Sequence, residues 1–388
     1  MRTRQWTLLI TTLAGCGLFP SLDGLTGGDA STTDATTDAS TDSAADVVKI
    51  GDASDASDAA TIPCEGGLTS CGSSCVDVSS SGSNCGACGH DCLGGSCASG
   101  QCQPVVIANA QNGAYDLAVG GGEVYWVNYS GGSVAKCTAD NCGATVTVLA
   151  TGRVTPEDIA IDGTNVYWSE RGGAAYCARA GCGGSATTLV SGITAADGGV
   201  ASNDGVAVGG GLVFFPINGS LLGCAIGGCG NSPTTVTSAS ADDLTTDSTN
   251  LYGTSGSTVF KCPLAGCSNV TRTSLVTGLS GGEGIAVDGT NVYFAYTGAV
   301  GSCPLTGCST PTVLAANQTD PNDITSDGVN VYWTDATDNL VLRCSVSGCN
   351  GTPTIIAQNQ AQPKGIGLDA KAVYWTQVTG DAIVRLAK

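Results

Sequence analysis

Short runs of alternating apolar and polar residues, separated by Gly, Asp, Asn and Thr, fill the chain from residue 104 onward. Within this region one phrase returns every 38 to 47 residues. It reads IAIDGTNVYW at Ile159–Trp168, IAVDGTNVYF at Ile285–Phe294 and ITSDGVNVYW at Ile324–Trp333. A period near 40 residues is typical of solenoids and propellers. Looser copies of the phrase end at Trp126, Phe215, Gly253 and Trp375.

Each period contains four short β-prone runs. One precedes Asp-Gly, one ends in Tyr-Trp, one leads into a cysteine, and one is like Thr187–Val190. The Asp-Gly-Thr-Asn piece between the first two runs predicts a tight hairpin connection. Helices are disfavoured because Gly, Thr and Asn recur in every period. Four antiparallel strands per repeat make a propeller blade, so the sequence predicts an all-β propeller.

The number of copies indicates how the propeller closes. Six complete copies precede a seventh, Ile366–Lys388, which ends after its third run at Ile383–Leu386. The segment Pro104–Ala108, upstream of the first copy, reads as a fourth strand without a blade. Joining the two would complete a seventh blade and remove exposed sheet edges. We predict a seven-bladed β-propeller over 104–388, closed by an N-terminal strand. An open array, or six blades with a stray hairpin, is the alternative.

One copy carries a family resemblance. Residues Val331–Asp335 read VYWTD, the phrase that names the YWTD propellers of lipoprotein receptors, and other copies match only its Tyr-Trp. The 104–388 region resembles that family throughout, and the resemblance implies ligand binding without chemistry. Members of the family have six blades, so the ring size differs and no ligand carries over. The Tyr and Trp residues are expected to pack between neighbouring blades as core.

Cysteines recur once per complete blade as C-x₄-C pairs, and the seventh blade has none. Each pair is expected in the link between the third and fourth strands. Disulfides closing loops of this size would stabilise the fold by about 2 kcal/mol each. The predicted pairs are Cys137 with Cys142, Cys177 with Cys182, Cys224 with Cys229, Cys262 with Cys267, Cys303 with Cys308, and Cys344 with Cys349.

Eight further cysteines lie between Cys64 and Cys102 and define a small module, placed at 61–103. This density predicts a disulfide scaffold whose connectivity the sequence does not give. Zinc is the alternative, because Cys85 and Cys88 stand beside His90 and Cys92. The stretches CGSSCVD from Cys71 and NCGACGHDC up to Cys92 resemble the stigma-specific cysteine-rich family. That resemblance implies a secreted, disulfide-held interaction module without catalysis.

The N-terminus indicates export. Arg2 and Arg4 precede an apolar stretch, Trp6–Leu13, which is too short to span a bilayer and suits a secretory signal. Leu-Ala-Gly-Cys at residues 13–16 resembles the lipobox of bacterial lipoproteins, which implies cleavage of 1–15 and acylation of Cys16. Gly17 follows in place of Asp, so outer-membrane residence is expected. An ordinary signal peptide that discards Cys16 is the alternative.

Composition narrows the classes of function. The chain has 388 residues, with 14 Lys and Arg against 33 Asp and Glu, for a net charge of −19. Nucleic-acid binding is unlikely for such an acidic chain, because polyphosphate repels it. Residues 16–60 are rich in Asp, Ser, Thr and Ala, which predicts a disordered linker behind the acylated Cys16. The lipid would tie the protein to the membrane.

The sequence contains few residues in patterns typical of catalytic sites. His90 is the single histidine and lies outside the propeller, which excludes a Ser-His-Asp triad or a histidine-based zinc site there. Asp116, Asp158, Asp243 and Asp323 share one register at the start of the first strands, where the other blades have Gly. They are expected around one end of the channel. Nearby loops add Glu157, Glu170, Asp242, Asp320, Asp335, Asp338 and Asp381.

Three interpretations of the four aspartates stay open. Their side chains could accept backbone N–H bonds and fix the spacing of the blades. They could bind a cation such as calcium, or a polar ligand, at the channel mouth. They could also perform acid–base hydrolysis as a carboxylate pair. No cofactor is expected apart from that calcium.

The overall expectation is a cell-envelope lipoprotein, periplasmic or surface-exposed, with a monomeric propeller. Its predicted role is non-catalytic binding of an envelope or extracellular protein or glycan. A carboxylate-dependent polysaccharide hydrolase or lyase acting at the channel mouth is the second hypothesis, and a purely structural surface component is the third.

Overall fold

A computed structural model describes residues 63–193 and 205–388. The predicted signal peptide at 1–15, the acylated Cys16, the linker at 16–60 and the first two residues of the module lie outside the described residues. The strands of the module are β1 (Thr69–Cys71), β2 (Ser74–Val76), β3 (Cys97–Ala98) and β4 (Gln101–Cys102), and β5 (Val105–Ala108) follows directly.

Seven four-stranded antiparallel sheets succeed one another around a central axis, and six of them have their strands in chain order from the inside outward. The first three complete blades consist of β6 (Ala114–Gly120), β7 (Glu123–Asn128), β8 (Ser133–Thr138) and β9 (Thr147–Ala150); β10 (Pro156–Ile161), β11 (Asn165–Glu170), β12 (Gly173–Ala178) and β13 (Thr187–Val190); and β14 (Ala207–Gly209), β15 (Leu212–Ile217), β16 (Ser220–Ala225) and β17 (Thr234–Thr237).

Three further complete blades follow the same order. They consist of β18 (Asp243–Thr246), β19 (Asn250–Ser255), β20 (Thr258–Pro263) and β21 (Thr273–Thr277); β22 (Gly282–Val287), β23 (Asn291–Tyr296), β24 (Ala299–Pro304) and β25 (Thr312–Ala316); and β26 (Pro321–Ser326), β27 (Asn330–Asp335), β28 (Leu340–Ser345) and β29 (Thr354–Ala357).

The seventh blade is completed from both ends of the propeller sequence. Its strands β30 (Pro363–Leu368), β31 (Ala372–Gln377) and β32 (Ala382–Ala387) are joined by β5 as the outer strand. Val106 pairs with Val384 and Val105 with Arg385 in an antiparallel ladder. The predicted seven-bladed propeller closed by an N-terminal strand is therefore confirmed. One short helix, α1 (Cys142–Thr145), lies in the first blade.

Seven separate cores lie between neighbouring blades. In six of them, the ring at the Trp position of one blade packs with apolar residues of the adjoining blade. In the other, that position is Gly253, and Phe260 of β20 fills the space. Trp168 shares a core with Tyr125 of the blade before it, and Trp375 shares one with Tyr332. These side chains are fully buried. The aromatic pairs of the repeat are thus core residues, and they leave few rings for ligand contact.

Hydrogen bonds explain why the Asp-Gly-Thr-Asn piece is repeated. Asp162 Oδ1 accepts the N–H groups of Thr164 and Asn165, and its Oδ2 accepts the hydroxyl of Tyr167 at 2.7 Å. These bonds lower the pKa of Asp162 against the opposing effect of burial. The turn and the buried tyrosine of the next strand therefore depend on each other, so the two recur together.

The blade cysteines form six disulfides. The first cysteine of each pair lies within the third strand, as Cys137 does in β8, and the second lies in the following link. In the seventh blade, Leu386 occupies that strand position, since it pairs with Val373 as Cys344 pairs with Val331.

The cysteine-rich module packs where the seventh blade lacks its disulfide. The described residues, 63–193 and 205–388, belong to one compact unit. Cys102 packs against the core that contains Leu386. Arg385 donates to the carbonyls of Leu93 in the module and Ala139 in the first blade. The module therefore braces the junction at which the propeller closes.

The module is held by four disulfides, which join Cys64 to Cys75, Cys71 to Cys88, Cys85 to Cys97, and Cys92 to Cys102. With the blade pairs, all 20 described cysteines are bonded. Disulfides in this number are typical of an oxidising extracellular or envelope compartment. In the described part of the chain, no helix has the length and apolar character needed to cross a bilayer.

Candidate functional site

An open cavity of about 670 Å³ lies at the end of the axis where the first strands begin. Two rings of residues shape its mouth, one from the aspartate and glycine register and one from the residue immediately before it. Seven carboxyl groups and a single basic side chain, Lys364, are among the described residues that line it. The acidic lining residues are Asp116, Glu157, Asp158, Asp242, Asp243, Glu283 and Asp323.

The inner ring contains the four aspartates predicted from the sequence. Each carboxyl group accepts the N–H of the next residue in its own strand and an N–H of the following blade. Asp243, for example, accepts from Leu244 at 2.6 Å and from Ile285 of the next blade at 2.8 Å. The other links between blades run from Asp116 to Ile159, from Asp158 to Val206 and from Asp323 to Ile366.

The remaining blades have glycine at the inner-ring position, and the next blade fills the space of a side chain at two of them. A Cβ on Gly284 would lie 2.8 Å from the Cα of Asp323, and one on Gly365 would lie 2.6 Å from the Cα of Asp116. Gly205 is less crowded, with its nearest neighbours at 3.6 Å. Aspartate and glycine are thus two ways of joining adjacent first strands.

Hydroxyl groups of the second strands add to this seam. Thr334 accepts the N–H of Asp323 at 3.3 Å and donates to the carbonyl of Lys364 in the next blade at 2.6 Å. Thr254 makes the same pair of contacts with Asp243 and Glu283. The threonine of the YWTD phrase therefore joins blades, and the inner ring is held by bonds along its strand and across the seam.

Burial raises the pKa of every inner-ring carboxyl group. For Asp243 it does so to about 7, against the lowering effect of the Ile285 and Leu244 N–H bonds. Burial also raises the pKa of Asp158 and Asp323 well above the usual range, with the charge of Asp116 as the next contribution. The pKa of Asp116 is raised by burial as well. The raised pKa values lower the ionised fraction of these groups at a given pH, so the outer ring carries a larger share of the negative charge at the mouth.

The outer ring comes from the residue before the aspartate or glycine register. Its six described members differ in chemistry from blade to blade, whereas the inner ring alternates between only two residue types. The six are Tyr115, Glu157, Asp242, Glu283, Asn322 and Lys364.

Lys364 is the cationic member of this ring. Its Nζ lies 4.3 Å from the centre of the Tyr115 ring, a cation–π distance. Burial opposes the charged form, but Tyr115, Asp116 and Glu283 outweigh it and raise the pKa of the lysine. Lys364 is therefore an ammonium group at neutral pH.

The predicted acidic loops divide between the cavity and the scaffold. Glu157 and Asp242 line the cavity. Glu170 instead forms an ion pair with Arg153, and Asp335 accepts the N–H groups of Thr319, Asp320 and Asp338. Asp381 accepts the N–H of Gly113.

Sequence reasoning missed Tyr115, Glu283, Asn322 and Lys364 as cavity residues. The signal that could have found them is position, because each stands directly before the aspartate or glycine that was recognised. The register before the aspartates gives no signal by residue type, because its residue type changes from blade to blade.

Histidine and cysteine stand apart from the cavity. The ring nitrogens of His90 lie 2.6 Å from the carbonyl oxygen of Cys85 and 2.8 Å from that of Lys388. The sulfurs of Cys85, Cys92 and Cys102 approach one another, but each is bonded in a disulfide. The described part of the chain therefore brings no imidazole or free thiol to the channel mouth.

Comparison with protein-family models and with curated proteins finds no match. Solved structures show the fold. Virginiamycin B lyase from Staphylococcus aureus superposes with a TM-score of 0.57 at 16% identity, covering 74% of this chain and 98% of the lyase. A second structure of that lyase contains a catalytically inactive histidine-to-alanine variant together with quinupristin. A streptogramin B lyase superposes with a TM-score of 0.56 at 13% identity, covering 73% and 96% of the two chains.

A propeller seen in a nidogen–laminin complex is similar at a TM-score of 0.45 and 17% identity, covering 57% of this chain and 89% of that one. At these identities the likeness shows the fold alone.

Proposed function

We propose that this protein is a non-catalytic binding protein of the cell envelope, and that its channel mouth holds a basic segment of another protein. The observation that carries the proposal is the outer ring. Glu157, Asp242 and Glu283 line an open cavity at the channel mouth, and the N–H of Gly256 holds the Asp242 carboxylate there. The net charge of −19 adds a field that attracts cations over a longer range.

A protein ligand is favoured over a neutral glycan by charge. The three outer-ring carboxylates, against one lysine, reward a ligand that carries ammonium or guanidinium groups, which Lys and Arg side chains supply. A neutral sugar gains nothing from this field. Tyr115 is the only aromatic side chain in the described lining, and Lys364 lies over its ring.

The polysaccharide hydrolase or lyase is the second candidate, and one observation favours it. Asp243, with a pKa of about 7, has the protonation behaviour of a general acid. Both of its oxygens, however, accept backbone N–H bonds. The lyase whose histidine variant is inactive offers no parallel, because the single histidine of this chain is His90 in the module. Binding is therefore the better-supported role.

A basic probe tests the binding role directly. We expect labelled hexalysine to bind residues 63–388 in low salt, measured by fluorescence anisotropy, and to dissociate as ionic strength rises. Neutralising the outer ring with Glu157→Gln, Asp242→Asn and Glu283→Gln together should weaken binding by about tenfold or more. Asp140→Asn is the matched control, because that side chain is 74% exposed and pairs with Lys371 away from the cavity.

Two outcomes would count against the proposal. Equal binding by the triple variant and by the control would mean that the mouth does not hold the probe. Product release from a polysaccharide panel that disappears in Asp243→Asn would favour the enzyme. Calorimetry with calcium tests the metal alternative. Binding heat that the native protein gives, and that Asp158→Ala and Asp323→Ala do not give, would indicate a metal site in place of a peptide site.

Localisation to the cell envelope is part of the same proposal. The lipobox-like residues before Cys16 and the number of disulfides support an acylated, exported protein in the outer membrane. Replacing Cys16 with Ser should move the protein from the membrane fraction to the soluble fraction of the expressing cell. A Cys16→Ser variant that still partitions with membranes would remove the anchor from the proposal.

A further inference from the structure

We infer that the mouth selects a dipolar stretch of polypeptide, in which a carboxylate accompanies the basic side chains, and that Lys364 binds this carboxylate. The inference rests on the proposed binding function and names the chemical class of its ligand. It follows from the distribution of charge around the outer ring, which is uneven.

One sector of the outer ring is acidic and another is not. Glu157, Asp242 and Glu283 come from the blades that begin with β10, β18 and β22. The adjoining blades that begin with β26, β30 and β6 contribute Asn322, Lys364 and Tyr115. In the outer ring, a ligand that spans the mouth therefore meets carboxylates on one side and an ammonium group, an amide and a phenol on the other, above Asp116 and Asp323 of the inner ring.

Lys364 is positioned to meet an anion from the ligand. Ion pairs within 4.0 Å occur elsewhere in the described residues, and Lys364 takes part in none of them. Its ammonium carries three N–H donors, and its contact with Tyr115 engages at most one of them. The Tyr115 ring beneath it fixes the position of the charge. Donors are thus left for a carboxylate that enters the cavity.

A ligand with basic groups alone would fit this ring less well. It would bring an ammonium or guanidinium group against Lys364, and like charges in a partly buried site repel each other. A neighbouring carboxylate on the ligand removes that repulsion and adds an attractive pair. Lys364 therefore acts as the element that discriminates between ligands, by repelling one class and attracting another.

A peptide library separates this inference from the function on which it rests. Residues 63–388 are immobilised and panned with a phage library of random dodecapeptides, and residue frequencies in selected peptides are compared with the unselected library. We expect both Lys or Arg and Asp or Glu to be enriched. The same panning on Lys364→Met should keep the basic enrichment and lose the acidic one, whereas Lys364→Arg should keep both.

Peptides selected on the native protein provide a second readout. Lys364→Met should weaken their binding by about fivefold. Replacing the acidic residue of the peptide with its amide should have the same effect on the native protein and little effect on Lys364→Met. Lys371→Met is the matched control, because Lys371 is 62% exposed and pairs with Asp140.

The outcomes are distinguishable. Peptides without basic enrichment would overturn the proposed function itself. Basic enrichment without acidic enrichment, or acidic enrichment that persists in Lys364→Met, would overturn the inference and leave the proposed function standing. Thermal unfolding of each variant confirms that Lys364→Met is folded, and Lys364→Gln serves as a replacement if it is not.

Discussion

At the scale of single residues, one register accommodates both aspartate and glycine because each brings adjacent first strands together. Gly365 tests this account, since a Cβ there would meet Oδ1 of Asp116 and lie 2.6 Å from the Cα of that residue. We expect Gly365→Ala to lower the free energy of unfolding by about 1–3 kcal/mol through overpacking. Gly163→Ala is the control, because a Cβ on Gly163 would have no neighbour within 4 Å. Equal urea midpoints for the two variants would contradict the account.

The inner-ring carboxyl groups predict how stability depends on pH. Burial raises their pKa on folding, to about 7 for Asp243, so the folded chain binds protons that the unfolded chain releases. Their stabilising contribution is therefore complete below the unfolded pKa of about 4 and is lost as the pH rises towards 7. One such group gives a slope of at most about 1.4 kcal/mol per pH unit.

Urea unfolding between pH 4 and 7 measures this slope. The free energy of unfolding should fall with rising pH in the native protein and fall less steeply in Asp243→Asn. The turn carboxylates do not obscure the effect, because hydrogen bonds lower the pKa of Asp162 and Asp247, and their contributions disappear only in more acidic solution. A slope that is unchanged in Asp243→Asn, relative to Asp140→Asn, would show that the ring does not titrate in this range.

At the scale of elements, the seventh blade replaces a disulfide with a neighbouring module. Arg385 and Arg343 occupy the same strand position, since they pair with Tyr374 and Tyr332. Only Arg385 is buried and donates to carbonyls of the module and the first blade. Arg385→Met should therefore cost about 2–4 kcal/mol, whereas Arg343→Met should cost under about 0.5 kcal/mol.

Limited proteolysis distinguishes a local effect from a general one. In Arg385→Met, cleavage between the module and β5 should become faster than in the native protein, because the carbonyl of Leu93 has lost its donor. In Arg343→Met the rate should not change. Equal rates in both variants would mean that the module is held by its other contacts, such as that of His90 with the carbonyl of Lys388.

Much of the element pattern was predictable because each repeat carries its own local chemistry. Asp162 bonds to its own turn and to Tyr167 five residues later. The phrase therefore predicts a hairpin from local contacts alone. Lys364 could not be placed in this way. Its role in the cavity depends on its contact with Tyr115, which is distant in the sequence and becomes a neighbour only because the last blade meets the first.

The packing of the cysteine-rich module was unpredictable for the same reason. Its sequence showed a disulfide scaffold, and nothing in it showed where that scaffold would lie. Leu386 stands where the other blades have a cysteine, and this is where the module packs. The contact of Cys102 with this core, however, exists only after the ring has closed. Local patterns therefore predicted the blades, and contacts across the closure escaped prediction.

At the scale of the whole molecule, closure by β5 gives the seventh blade its outer strand and pairs the edge of β32 that would otherwise be open. Without β5, the backbone groups of β32 that face Val105 and Val106 would be unpaired. We expect a chain of residues 109–388 to self-associate through this edge, whereas residues 63–388 remain monomeric in size-exclusion chromatography with light scattering. Adding a synthetic peptide of residues 104–110 should restore the monomer by completing the blade. The same peptide with Val106→Pro cannot pair fully and should fail. Association of the shorter chain that the native peptide does not reverse would show that β5 acts through the module it carries rather than as the closing strand.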